Sequence, residues 1–497
     1  MHTPRVPVRP EQDVEMVIDT VGHDGDGLGK VGNYVVFVPR AMAGERVRAR
    51  ITSAGRKHGR ADLLAVLEPS ADRVTPRCPH FGACGGCQLQ HMTYPAQLEL
   101  KQLRVQRTLS HALRRDIEVP PLAAPAQPWG QRSKVVLHVE RRPSGYRAGL
   151  YGQRSRSLVP LDECPASHAA AFALARKAVQ ICERQRVPAF DRRYGDGALR
   201  GVLVRATSTG QLGVVLISAS AALPQERAVA TALADAGAAA VWVNHLPTPM
   251  RVRDGALPTR VDAFEPVHLL GSETRCVHGN DRLDEELLDV RYVVSPTAFF
   301  QTSLFGAEEL VRQVVAMAEP LAGKKVIDAY CGSGLLTLAL ARSAASVIGV
   351  EDDALAVADA EAGARRNGRD NVRFIAGPAQ RLLPTLATEA PDVVVLDPPR
   401  AGCHAGVLET VAQALRPRRV VYVACDTDSL ARDAARLEEL EYAVERVQPL
   451  DMFPFTHHVE TVVAFARNPQ ARTGAKRFSR AAGERLLAKA RASRAPD

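Results

Sequence analysis

No apolar run in the 497 residues approaches the ~20 consecutive residues that a helix needs to span a bilayer, which argues against a membrane partner. The opening residues, MHTPRVPVRPEQ, lack the apolar stretch of a secretory signal, so the chain is expected to stay in the cytoplasm. No internal repeat is found, which excludes a solenoid or an array of blades. Disulfides are not expected either, because nine cysteines in a reducing compartment are free thiols or ligands.

What is present is long, globular and basic. The length exceeds the roughly 250 to 300 residues at which a single core stops growing, so two or three domains are expected. The net charge of +9 suits a polyanionic partner. It is unevenly placed: from Arg467 to Asp497, nine Lys or Arg stand against Glu484 and Asp497 alone. That Ala- and Arg-rich tail reads either as a solvated disordered end or as an auxiliary nucleic-acid contact.

Between Val14 and Leu67, short alternating runs such as VRARI are punctuated by glycine, the pattern of a small β-barrel. Arg40, Arg46, Arg48, Arg50, Arg56, Lys57 and Arg60 lie there with one acid, Glu45. Such a basic face suits RNA phosphates, the other reading being a merely solvated edge. From residue 73 to about 300, strand-like runs (KVVLHV, LGVVLIS) mix with helical ones (AAAFALARKAVQICERQ), with no readable strand order. After SPTAFFQTS at 295–303, helices alternate regularly with KVIDAYCGSG, SVIGVEDD, VRFIAG, DVVVLDPPR and RVVYVACD. That alternation predicts a doubly wound, mostly parallel sheet. The expected fold is α/β, with a Rossmann-like C-terminal domain over 301–468. A β-barrel over 1–72 and a mixed α+β domain over 73–300 precede it, and the basic tail covers 469–497.

In VIDAYCGSG an apolar strand runs into a turn whose Gly332 and Gly334 let a ligand approach the backbone, beside Asp328 and Tyr330. One strand further on, SVIGVED ends on Glu351, an acid placed to accept both hydroxyls of a ribose. The pair suits an adenosine-containing cofactor. Because Leu335, Leu336 and Thr337 follow Gly334, the pyrophosphate-type G-x-G-x-x-G is missing, which favours S-adenosylmethionine over a dinucleotide. In VVVLDPPRAG, Pro398 and Pro399 hold Asp397 and Arg400 extended at a strand's C-terminal edge, where α/β sheets bind ligands. VYVACDTDSL ends a strand on Cys425, which by itself reads equally as a small buried hydrophobe. Glu460, in DMFPFTHHVET, is either an ordinary strand-edge acid or a base beside that thiol.

Taken in order, SPTAFFQTS, DAYCGSG, VIGVEDD, DPPRAG, VYVACDTDSLARD and DMFPFTHHVET resemble the bacterial RNA uracil-5-methyltransferases, which form 5-methyluridine in tRNA or 23S rRNA. The resemblance runs from residue 14 to 468, and its N-terminal part is similar to the TRAM barrel of some members. It implies a class I methyltransferase domain and S-adenosylmethionine as methyl donor. Cys425 would attack C6 of uracil, and Glu460 would remove the C5 proton after methyl transfer. Gln301, Tyr330, Glu351 and Asp397 would hold the cofactor. Phe299 is a candidate to stack on a flipped uracil, or else a core aromatic. Cys78, Cys84, Cys87 and the distant Cys164 match the ligands of the family's 4Fe-4S cluster. Their unequal spacing differs from the paired short spacings of zinc, the alternative metal.

Some positions depart from the family. Asp426 and Thr427 stand where Asn-Pro commonly follows the nucleophile, and an acid beside a thiol tends to raise its pKa. Pro378 stands where many members place an acid near the adenine. A competing reading is therefore an RNA-binding protein that has lost turnover. The barrel together with four cluster cysteines resembles the 23S rRNA branch more than the tRNA branch. The expected partner is thus RNA, 23S rRNA in preference to tRNA, bound by a monomer.

Overall fold

In the computed structural model, described residues run from 6 to 468, apart from 144, 156, 192–193, 248–249, 252–258 and 261–269. The basic tail considered above lies outside them.

Five strands close the N-terminal barrel in the order Asp13–Val21, Gly27–Val31, Tyr34–Val38, His58–Glu68, Arg46–Ala54. Strict alternation makes it possible: in Arg46–Ala54, Val47, Ala49 and Ile51 point inward, while Arg46, Arg48 and Arg50 point to water. Gly29 is required where strands cross, since a Cβ there would lie 2.8 Å from the Val17 carbonyl oxygen. The second sheet has seven strands: Glu273–His278, Ala240–His245, Leu212–Ser218, Leu199–Ala206, Lys134–Arg142, Gly145–Tyr151 and Leu158–Pro160. Helices Ala169–Arg184 and Glu226–Asp235 bury their apolar faces against it.

The C-terminal sheet is the one that positions the site. Its order is Val372–Ala376, Ser346–Glu351, Lys325–Ala329, Val393–Leu396, Arg419–Ala424, Glu460–Arg467, Tyr442–Leu450. The first five strands are mutually parallel, and Glu460–Arg467 runs antiparallel to both of its neighbours. Near-continuous runs of Val, Ile and Leu form the central strands because helices cover both faces. From Lys325–Ala329 the chain first winds to one side and then returns to the other. The C-terminal ends of Lys325–Ala329 and Val393–Leu396 therefore flank the switch point, where such sheets form a crevice.

Helix Tyr94–Leu113 lies early in the chain yet shares the core of this last sheet: Val105, Leu109 and Leu113 pack in one cluster with Leu430, Ala434 and Leu437. A buried ion pair fixes it. Lys101 Nζ donates to Asp451 Oδ1 (2.6 Å) and to the Phe453 carbonyl (3.1 Å), while Tyr94 Oη donates to Asp451 Oδ2 (2.7 Å). Both charges are almost wholly withdrawn from water, so their mutual partnership is what makes the burial tolerable.

Candidate active site

Strand register explains why residues 35 apart in sequence meet. Ala424 pairs with Thr461 across the antiparallel strands, so Cys425, just past one strand's end, and Glu460, at the other's start, share the same sheet edge. Asp397, after Val393–Leu396, and Tyr330, after Lys325–Ala329, emerge at that edge too. Glu351 ends the next strand beyond. Gln301 is buried three residues before helix Leu304–Ala318, whose N-cap Ser303 accepts from the Gly306 N–H (3.1 Å).

Burial and neighbouring charges govern the carboxyls here. Glu460 is only 4% exposed, and desolvation, with Asp397 adding, holds its carboxyl well above the usual range. Burial lifts Asp397 to about 7, helped by the charges of Asp328 and Glu351. Desolvation likewise pushes the Cys425 thiol up to about 11, with Glu460 adding. Arg400 opposes the shift of both Cys425 and Glu460. It is the positive partner for the thiol that sequence alone does not disclose.

The crevice fits an adenosine-bearing cofactor. Glu351 Oε2 accepts from the Gly332 N–H (2.9 Å) and Oε1 from the Asp353 N–H (2.9 Å), which fixes the carboxylate under the glycine turn. Gly332 has positive φ, and open space lies where its Cβ would be. Asp328 Oδ2 accepts from Thr337 Oγ1 (2.6 Å), whereas its buried Oδ1 has no partner. An orphaned acceptor below an open glycine turn leaves room for a ligand donor. Tyr330 itself takes a left-handed conformation (φ 67°). Phe299 is 65% exposed, which rules out the core-aromatic reading; the neighbouring Phe300 is the buried one.

The departures next to Cys425 have a local explanation. Asp426 is the N-cap of helix Thr427–Glu439, and its Oδ1 accepts from the Asp428 (3.1 Å) and Ser429 (2.8 Å) N–H groups. Asn and Asp cap helices about equally well. Asp426 is thus engaged with its helix, and the causes that raise Cys425 are burial first, then Glu460 and Asp397. Thr427 occupies the first helical position, where proline is tolerated because that N–H has no intrahelical acceptor. Pro378 opens the short helix Ala379–Leu382 with the φ of −67° that its ring dictates.

Sequence reasoning missed the cations and donors that line a pocket beside Cys425. A pocket of about 220 Å³ has Cys425, Arg400, Arg104, Thr427, His457 and His458 in its wall. Arg104 comes from helix Tyr94–Leu113 and donates to the carbonyls of His23 (3.0 Å), in the barrel, and His457 (3.2 Å). No local motif signals this, because three distant segments supply it.

Cys78, Cys84, Cys87 and Cys164 lie in one neighbourhood. Burial lifts the Cys84 thiol to about 11, and Cys87, Cys164 and Cys78 each add to the shift. Arg132 donates to Cys87 Sγ (3.3 Å) and to the Gly86 carbonyl (2.8 Å), and Ser167 Oγ donates to Cys164 Sγ (3.2 Å). Among the described residues, no group of three or more His, Cys, Asp or Glu is arranged to hold a metal ion. Four soft sulfur donors beside the half-buried Arg132 guanidinium fit an anionic thiolate-bound cluster in chemistry, although the sulfurs do not form a closed ligand set.

Residues 272–468 match the tRNA (Uracil-5-)-methyltransferase family, and residues 8–64 match the TRAM domain. An uncharacterised RNA methyltransferase of Halalkalibacterium halodurans is 34% identical over 93% of this chain and 98% of its own. Another from Gloeobacter violaceus is 37% identical over 92% and 97%. The fold is shared with the Pyrococcus abyssi tRNA (uracil-54, C5)-methyltransferase, at a TM-score of 0.68 and 24% identity, over 91% of this chain and all of that one. These findings correct the expected preference for 23S rRNA over tRNA. The RNA named for both the matching family and the structure of shared fold is tRNA.

Proposed function

The chain belongs to the S-adenosylmethionine-dependent RNA (uracil-5-)methyltransferases with a TRAM domain, and on that footing we propose that it methylates C5 of a uridine in tRNA through a covalent bond between Cys425 and C6. The observation that carries this reading is the shared strand edge of Cys425 and Glu460, beside a crevice that fits the cofactor. Gln301, Tyr330, Glu351 and Asp397 are the residues proposed to hold S-adenosylmethionine, which when bound supplies an electrophilic methyl group.

Cys425 Sγ adds to C6, and the electron pair of the C5=C6 bond moves toward O4, which makes C5 nucleophilic enough to take the methyl group. Glu460 then removes the C5 proton, the double bond re-forms and the thiolate leaves. Both groups must be ionised for these steps, and burial works against ionisation of each by raising its pKa. Arg400 favours the ionised form of both, so it is the residue that makes the chemistry accessible near neutral pH. Asp397, close enough to act on both electrostatically, is also proposed to face the reacting base.

Cys78, Cys84, Cys87 and Cys164 are proposed to hold a 4Fe-4S cluster, whose iron–sulfur bonds would tie the 78–87 loop to Cys164. Arg132 would offset its negative charge. Iron and sulfide analysis of anaerobically purified protein tests this; one zinc with no iron would refute it.

The function is tested by transfer of labelled methyl groups from S-adenosylmethionine to tRNA transcripts, followed by nucleoside analysis. The reading requires 5-methyluridine at a single position. No label in tRNA, with label in another RNA, would refute the substrate; no label in any RNA would refute the activity.

A further inference from the structure

The wall of the 220 Å³ pocket beside Cys425 has an unusual charge pattern. Its acids are already engaged: Asp426 caps helix Thr427–Glu439, Asp428 Oδ2 pairs with His23 Nδ1 (3.1 Å), and Asp24 Oδ2 pairs with Arg154 (2.7 Å). Its two arginines face no acid partner, and Arg104 is held only through the His23 and His457 carbonyls. Among the described residues neither Arg104 nor Arg400 forms an ion pair, and Arg104 Nε is buried without a partner.

Two further groups are uncommitted. Thr427 is 3% exposed, lies in the pocket wall, and its Oγ1 is buried with no hydrogen-bond partner. A buried hydroxyl left unsatisfied costs stability, so its retention calls for a ligand. Thr427 is also the first residue of a 13-residue helix, with an N–H that has no intrahelical acceptor. His457 Nδ1 is likewise unpaired, and burial keeps this imidazole neutral. The pocket continues, through His23, Arg104 and His457, into a groove of about 400 Å³ between the barrel and helix Tyr94–Leu113.

We propose that this pocket is an anion site that takes a backbone phosphate of the RNA, the one next to the extruded uridine. Arg104 supplies charge, and Thr427 donates from Oγ1 and from its backbone N–H. The site rests on the RNA-methyltransferase reading and deepens it. A phosphate anchored beside Cys425 fixes the sugar of the target nucleotide, and the groove leads the strand on toward the barrel.

Thr427→Val and Arg104→Gln test it, with RNA affinity, its salt dependence, thermal unfolding and cofactor binding measured on the full chain. Thr427→Val removes an unsatisfied hydroxyl, so the RNA-free protein is expected to unfold at an unchanged or higher temperature. RNA affinity should nevertheless fall about tenfold, as for loss of a hydrogen bond to a charged group, with kcat at saturating RNA and cofactor affinity unchanged. Arg104→Gln should lower the slope of log affinity against log salt by about 0.7 to 0.9, the change for one phosphate. A Thr427→Val protein that melts lower and loses kcat shows a structural role and overturns the site. So does unchanged RNA affinity, or an unchanged salt slope in Arg104→Gln. If the wild-type protein methylates no RNA, the parent reading fails and the site with it; if it does, these outcomes judge the site alone.

Discussion

A carboxylate raises a neighbouring thiol's pKa only if it faces the sulfur, and Asp426 faces the helix that follows it. Asp426→Asn should therefore leave the pH profile of methyl transfer unchanged. Asp426→Ala should cost about 1 kcal/mol of stability through the lost cap, read by denaturant unfolding. Arg400 is the opposite case: a residue on the surface that lowers the pKa of both Cys425 and Glu460. Arg400→Gln should shift the rising limb of kcat/KM against pH to higher pH and reduce the rate most at pH 7. An unmoved profile would remove Arg400 from the chemistry. Asp328, Glu351 and Asp397 were legible in the sequence because each follows an apolar run, at or just past a strand's end. The electrostatic role of Arg400 was not, since it depends on which strand ends lie side by side.

Strand alternation in the barrel could be read from residues 14 to 67, but cross-strand pairing could not, and pairing changes the meaning of the charges. Arg46 is bound by Glu15 (2.9 Å) and Glu68 (3.0 Å), Arg50 by Asp13 (2.7 Å), and Arg60 by Asp26 (3.3 Å). Among the described residues Arg48, Arg56 and Lys57 are in no ion pair, so only part of the seven-residue basic face remains to meet phosphate. Replacing these three by Ala should lower the salt slope of RNA binding by about 2 to 3, with cofactor binding and melting temperature unchanged. The same change in Arg46 and Arg50 should affect it less. Equal effects from both sets would mean that the acids do not neutralise their partners.

At the scale of the molecule, residues at 330, 351, 397, 425 and 460 share one edge because a doubly wound sheet ends its strands there, and the order of motifs made that edge legible. The contribution of residues before 300 was not legible, since it depends on packing between distant segments. Helix Tyr94–Leu113 carries Lys101 to Asp451 and Arg104 to His457, and so supports the loop that leads into Glu460. Lys101→Ala would leave Asp451 buried without its cation, and a loss of about 3 to 5 kcal/mol is expected. Chemical denaturation measures it, and a loss below about 1 kcal/mol would show that the pair is not what holds the loop. The central claim, that Cys425 bonds to the base and Glu460 acts only after methyl transfer, is tested most directly by incubating Glu460→Gln with tRNA and methyl-labelled S-adenosylmethionine and running the product on a denaturing gel. The account predicts a shifted band carrying the label, methylated RNA still bonded to protein, and no such band when Cys425→Ala is added to the same chain. A folded, cofactor-binding Glu460→Gln protein that releases free 5-methyluridine RNA, or a labelled adduct that persists without Cys425, would contradict it.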